Sequence, residues 1–287
     1  MLRSFLTAGL MLASLTALAA LVGGGAGAPK LSLSTAQVLQ GDCFFAYLVG
    51  VDAQPTITWA GRQIPLFMGP RGWQAVLPVA AAAAPGRQKV WAAWTDPAGD
   101  TQRLAAPVTV KTRKFPAQYL RLSAQQESLY EYPGVEEEYR QIRAALGRFS
   151  PAAYWRGKFL RPVTGRRNTA FGTQRFRNGK KQGIHKGLDY GAPLGAAVHA
   201  ANAGVVALTA EDFRLHGKTV IVDHGRGVCT LYLHLSKILV QPGQQVEQGQ
   251  IIARVGATGV ATGPHLHYGL YVADTAVDPA WWEQTAR

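Results

Sequence analysis

All seven histidines of this chain lie between His185 and His267, and nothing before residue 185 contributes an imidazole. Four of them sit in three short stretches: HKGLD (His185 to Asp189), LYLHL (Leu231 to Leu235) and GPHLHYG (Gly263 to Gly269). A fold that uses them together must bring three separated segments to one groove. Two histidines and one aspartate can hold a zinc ion and leave a position open for water, the arrangement of a catalytic site. A closed structural site takes four ligands, commonly with cysteines, and this chain has only Cys43 and Cys229.

Alternation along a β-strand makes the spacing coherent, because side chains two or four apart point to one face. His265 and His267 therefore share a face, and Leu266, Tyr268 and Leu270 take the other. In LYLHL the same parity sends Leu231, Leu233 and Leu235 into the core and turns Tyr232 and His234 outward. His185, Gly187 and Asp189 align if that stretch is extended, with Gly187 leaving room between the outer two. A helix would also align His185 with Asp189, but Gly183, Gly187, Gly191 and Pro193 argue against one.

The rest of the chain is organised around this region. Its 287 residues suggest two domains, each burying a core. Residues 29–112 read as an all-β accessory domain. Short runs (Cys43 to Val49, Thr56 to Trp59, Trp73 to Pro78, Lys89 to Trp94, Pro107 to Lys111) are separated by Gly, Pro and Asp turns, which suggests a small immunoglobulin-like β-sandwich. Trp59, Trp73, Trp91 and Trp94 are expected in its core. Residues 113–150 read as a helical linker. Val135, Tyr139, Ile142, Leu146 and Phe149 recur at helical spacing from Gly134 to Phe149, with Glu136 one turn before Arg140. Residues 151–287 are again rich in strands: Ala197 to Leu208, Thr219 to Asp223, Cys229 to Leu235 and Ile251 to Val255. Asp223 to Gly227 reads as a tight hairpin connection. The fold class is thus mainly β, ending in an antiparallel sheet that folds on itself around a groove.

Residues 1–28 carry Arg3, an uncharged apolar run from Phe5 to Val22, and small residues from Gly23 to Ala28, the pattern of a secretory signal. An uncleaved N-terminal anchor is the alternative, and would be the protein's only attachment to a membrane. Either outcome places the remainder outside the cytoplasm. Cys43 and Cys229 fall in different domains and read as buried apolar residues, not as a disulfide. The formal charge of +13 favours an anionic partner. Nine Lys and Arg, from Arg156 to Lys181, occur between Pro151 and Gly183 without one acid. That stretch reads either as a solvated face or as attraction to anionic wall polymers near the groove. Nucleic acid is excluded as a partner, since the chain is exported and lacks a recognisable reading module.

The three histidine stretches, in this order, resemble the signatures of the lysostaphin-type (LytM-domain) zinc metallopeptidases that cut bacterial cell-wall peptides. FGTQRF at Phe171 to Phe176, APLGAAVHAANAGVV, VIVDHG and VQPGQQVEQGQIIARVGATG extend the likeness over roughly residues 160 to 275. The resemblance implies a secreted or envelope zinc endopeptidase acting on peptidoglycan stem peptides or cross-links. It makes His185, Asp189 and His267 the ligands of one Zn2+, and His234 and His265 a catalytic pair that does not hold the metal at rest. Some members carry a tyrosine shortly before the first ligand; here Asn178 to Ile184 has none, and Tyr190 or Tyr232 is the nearest substitute. The alternative is a non-catalytic LytM-type scaffold that binds wall or activates another hydrolase. Such members typically lack ligands or catalytic histidines, whereas this sequence keeps the full set. His199, His216 and His224 read as surface or satisfied core residues.

Overall fold

The structure, a computed structural model, describes residues 27–284. The apolar run expected to direct export lies outside the described residues. Among the described residues no helix is long and apolar enough to cross a membrane.

Nine strands occupy residues 30–111: β1 (Lys30–Leu33), β2 (Gln37–Leu39), β3 (Cys43–Val49), β4 (Thr56–Trp59), β5 (Arg62–Ile64), β6 (Phe67–Gly69), β7 (Gly72–Pro78), β8 (Gly86–Thr95) and β9 (Thr101–Lys111). They form two sheets, ordered β1-β3-β7-β6 and β2-β9-β8-β4-β5. Alternate residues of β8 and β9, including Val90, Ala92, Val108 and Val110, meet Phe44, Leu48 and Leu77 between the sheets. Trp59 fills this core, its indole N–H donating to the Pro78 carbonyl at 2.7 Å. Trp91 instead stays 45% exposed, beneath Lys89.

The connecting region holds β10 (Ala117–Leu120), α1 (Ala124–Ser128) and α2 (Val135–Leu146). Helix α2 is shorter than its periodicity predicts. It stops at Gly147, leaving Phe149 outside. Arg140 pairs with Glu137 and not with Glu136. Beyond it run β11 (Arg166–Thr169), β12 (Gln174–Arg177), β13 (Lys180–Ile184), β14 (Leu188–Gly191), β15 (Ala197–His199) and β16 (Gly204–Ala210). Then come β17 (Lys218–Gly225), β18 (Val228–Ile238), β19 (Gln245–Val246), β20 (Ile251–Val255), β21 (His265–Val272), β22 (Thr275–Val277) and α3 (Pro279–Gln284). The run expected from Ala197 to Leu208 is thus two strands, interrupted where Ala200 and Ala201 leave the ladder. Strands β12 and β13 form a small sheet with β10, which pairs parallel to β12.

The large sheet is antiparallel throughout and runs β11-β14-β21-β18-β17-β16-β19, with β15, β20 and β22 attached off this path. Its two faces bury different cores. Leu188, Val220, Val222, Tyr232, Leu266, Tyr268 and Leu270 face one core with Phe159 and Trp282, joined there by Cys43, Phe45, Phe67 and Val76 from the sandwich. Ile221, Cys229, Leu231, Leu233 and Tyr271 face the other, covered by Ile142, Ala145 and Leu146 of α2. Each such leucine or isoleucine contributes roughly 1.5–3 kcal/mol when fully buried, so both faces hold the sheet in place. Arg113 further ties the parts together, bonding Asp42 at 2.7 Å and Asp278 at 3.0 Å. Both cysteines are buried free thiols.

His224 belongs to the core. One ring nitrogen meets the Ala203 carbonyl at 2.8 Å and the other the Thr230 hydroxyl at 2.7 Å. Burial pushes its imidazole down to about 4, only partly offset by the Ala203 contact. An unfolded histidine takes up its proton near ~6.5, so between that pH and about 4 the unfolded chain holds more protons. Stability therefore falls as pH drops through this window. The expected loss from this group is on the order of 1–3 kcal/mol. Thermal melting at pH 7, 6 and 5 checks it: His224→Gln, although less stable at pH 7, should show a shallower decline. An equally steep decline in the variant assigns the effect to other groups.

Candidate metal centre

Strand register brings the first and third histidine stretches together. Asp189 on β14 lies directly opposite His267 on β21, and Gly191 opposite His265. His185 enters from the end of β13. Its Nε2 stands 2.9 Å from Asp189 Oδ1 and 2.9 Å from His267 Nδ1, while His267 Nδ1 is 2.8 Å from the same carboxylate oxygen. Three atoms able to bind a metal ion thus face one point, all from buried side chains. Gly187 makes this convergence feasible. A Cβ there would stand 2.4 Å from the Tyr268 carbonyl oxygen and 2.9 Å from the His267 ring.

The donor set suits a cation. His185 Nδ1 lies 3.0 Å from the Ala170 carbonyl, which accepts its N–H, so that Nε2 of the neutral ring carries a bare lone pair. That lone pair then faces the Asp189 carboxylate, acceptor against acceptor, a conflict that a metal ion removes. Burial pushes the His267 imidazole down to about 4, which favours the neutral form that binds metals. Asp189 Oδ2 accepts from Arg175 at 2.9 Å, so its two oxygens have separate duties.

His234 reaches this face by a route that simple parity does not predict. Its neighbours Leu231 and Leu233 lie beneath α2, and Tyr232 is fully buried in the opposite core, not turned outward. Regular alternation would put His234 beside Tyr232. Instead the β17–β18 register slips between Lys218–Leu235 and Val220–Tyr232, placing an extra residue in β18. His234 sits at that bulge with φ of 62°, which rotates its side chain to the metal-ligand side and sends Leu235 into the other core. A left-handed residue with a Cβ costs roughly 1–2 kcal/mol. The structure holds it there by bonding its N–H to the His216 carbonyl at 3.3 Å and its Nδ1 to the Thr258 carbonyl at 2.8 Å. The His234 ring centre is 4.8 Å from that of His265 and 6.3 Å from that of His267. Burial, then the neighbouring His265 and His267, push the His234 imidazole down to about 3. His265 likewise engages a carbonyl through Nδ1, that of Gly263 at 2.8 Å. Both rings therefore have Nε2 available to accept or deliver a proton.

Several residues around this centre carry no signature in the sequence. Glu138, buried on α2, accepts from the backbone N–H groups of Arg214, Leu215 and His216, from the Tyr132 hydroxyl, and contacts His216 Nδ1 at 2.7 Å. It thereby fixes the loop whose His216 carbonyl holds His234. A cleft of about 280 Å³ opens over the metal-ligand side. Its walls include Gln118, Leu120 and Tyr130 from the connecting region, Arg175 from β12, and the segment 260–264. Tyr130 brings a phenol to this cleft. Tyr190 and Tyr232 do not, since both are fully buried on the opposite face, bonded to Glu283 and to Ala201 and Thr230 respectively. The sequence marks Tyr130 only as one of two tyrosines between α1 and α2. The nine basic residues before His185 are dispersed. Arg175 bonds Asp189, Arg177 stacks on Tyr130 at 3.7 Å, Arg161 and Arg167 cover Tyr190, and Lys180 and Lys181 lie on exposed β13.

With this geometry in place, comparison with known proteins gives a consistent answer. The model of Peptidase family M23 matches residues 183–279. The peptidoglycan DD-endopeptidase ShyA of Vibrio cholerae is 44% identical over 99 residues, covering 34% of this chain and 23% of ShyA. ShyB of the same organism, also a peptidoglycan DD-endopeptidase, is 37% identical over 147 residues, 51% of this chain and 28% of ShyB. The chain thus spans about a quarter of the length of these relatives. A crystal structure from Pseudomonas aeruginosa assigned to peptidase M23 superposes with a TM-score of 0.64 at 30% identity, over 87% of this chain and 96% of that one.

Proposed function

Because this chain belongs to peptidase family M23, we propose that it is a zinc-dependent endopeptidase that hydrolyses peptide bonds in peptidoglycan stem peptides or cross-links during cell-wall remodelling. The observation that carries this reading is the triangle of His185 Nε2, Asp189 Oδ1 and His267 Nδ1, with edges of 2.8–2.9 Å, beside two imidazoles that do not take part in it. One zinc ion held by these three side chains would supply Lewis acidity, polarising the scissile carbonyl and lowering the pKa of water. The names of ShyA and ShyB support peptidoglycan as the substrate, and a substrate in the wall supports an extracytoplasmic location.

The protein's own residues have separable tasks. His234, kept neutral by its surroundings, accepts a proton through Nε2 and returns it to the leaving amine. His265, half-buried at the cleft, presents its own Nε2 beside the reacting group as a second proton acceptor. Arg175 balances the Asp189 charge and keeps that carboxylate oriented. Tyr130 and Gln118 border the cleft where a peptide would lie.

Digestion of purified peptidoglycan by the full chain, with and without a chelator and then with zinc restored, tests the reading. The expected result is release of peptide-cleaved fragments, identified by mass, that stops with the chelator and returns with zinc. A chain that binds zinc and wall yet releases no fragment would establish the scaffold alternative.

A further inference from the structure

A second cleft, of about 520 Å³, lies between the β-sandwich and the C-terminal sheet, with none of the metal-centre residues in its lining. Its walls carry three arginines and no carboxylate: Arg71 from the β6–β7 turn, Arg156 from the segment before β11, and Arg226 from the β17–β18 turn. Phe45, Phe67 and Trp155 border the same cleft from buried positions, and the half-buried Tyr47, with Arg71 5.5 Å from its ring centre, supplies its aromatic surface. Among the described residues no ion pair compensates any of the three guanidinium groups.

Arg226 is held in an unusual way. It occupies the first position of a two-residue hairpin turn with φ of 55°, followed by Gly227 at 74°, where glycine or asparagine is ordinarily favoured. Its N–H donates to the Ser150 carbonyl at 2.6 Å, and its guanidinium lies 3.9 Å above the Phe67 ring. Its Nε is buried without a hydrogen-bond partner among the described residues, as is the indole Nε1 of Trp155. A strained arginine with an unmet donor, on the wall of a cleft that gathers two further arginines, is short of an anion.

We propose that this interdomain cleft binds an oxyanion carried on a sugar ring, a phosphate or carboxylate engaging the arginines while the ring packs beside Tyr47. Guanidinium suits both oxyanions through charge-assisted, bidentate hydrogen bonds, and aromatic faces suit the apolar face of a saccharide. The volume fits a ligand of one or two rings. Binding there is independent of the metal centre and does not rest on the peptidase reading.

Calorimetric titration of the zinc-loaded full chain with glucose 6-phosphate, glucuronate and unsubstituted glucose tests this. Both anionic sugars are expected to bind, and glucose is not. Arg71→Ala and Arg156→Ala remove exposed side chains, so the fold survives; each should weaken binding of the anionic sugars by about tenfold. Arg226→Ala should abolish it, and rising salt should weaken it. Three results would overturn the proposal: no binding of either anion at millimolar concentration, equal binding of glucose, or affinities unchanged in both surface variants. The last result would place the anions on the zinc.

Discussion

His267→Ala is expected to lose its zinc and to lower peptidoglycan hydrolysis by about a thousandfold or more. His267 closes the triangle of candidate ligands, standing 2.8 Å from Asp189 and 2.9 Å from His185. Without it only two protein ligands remain, too few for a stable catalytic zinc site. The fold should survive, because Asp189 keeps its bond to Arg175 and β21 keeps Leu266, Tyr268 and Leu270 in the core. The cost of removing the buried ring itself is about 1–3 kcal/mol. Metal content by elemental analysis and melting with and without added zinc check this independently of activity. Zinc should raise the melting temperature of the parent protein, since a ligand bound only by the folded state stabilises it. It should leave that of His267→Ala unchanged. A variant that retains stoichiometric zinc would remove His267 from the ligand set.

How much of this arrangement the sequence discloses depends on the kind of restraint involved. His265 and His267 share a face because two-residue spacing has one outcome in an unbroken strand, and their register against Gly191 and Asp189 follows. Gly187 is legible for a related reason, as close approach of two backbones leaves no room for a side chain. Parity fails at His234. An extra residue in β18 is set by what β17 and β20 offer on either side, and no local spacing encodes that. The same slip reassigns Tyr232 to a core and separates Leu235 from Leu231 and Leu233. Glu138 is hidden differently. It is one of three consecutive acids, Glu136, Glu137 and Glu138, and only the fold of the loop from Arg214 to His216 makes it a buried anchor. Gln118 and Leu120 reach the cleft through β10, which joins β12 across more than fifty residues of chain, a pairing that periodicity does not announce, and Tyr130 reaches it from the segment between α1 and α2.

The bulge at His234 leads to the second large expectation. His234→Ala and His234→Asn should each keep one zinc per chain and lose activity by about 10²–10⁴-fold, the usual contribution of a positioned acid or base. Alanine leaves the backbone strain as it is, because its Cβ is the same obstacle at φ of 62°. Asparagine tolerates this conformation better and offers an amide N–H to the Thr258 carbonyl in place of the imidazole Nδ1. If His234 served only to shape the loop that presents Thr258, asparagine would restore much of the activity that alanine loses. If its Nε2 handles a proton, both variants should be equally impaired, with the loss in kcat and not in KM. Elemental analysis beside steady-state kinetics on a soluble cross-linked peptide separates these outcomes. Activity above about a tenth of the parent in either variant would shift the proton-handling role to His265, the other ring with a free Nε2 at the cleft.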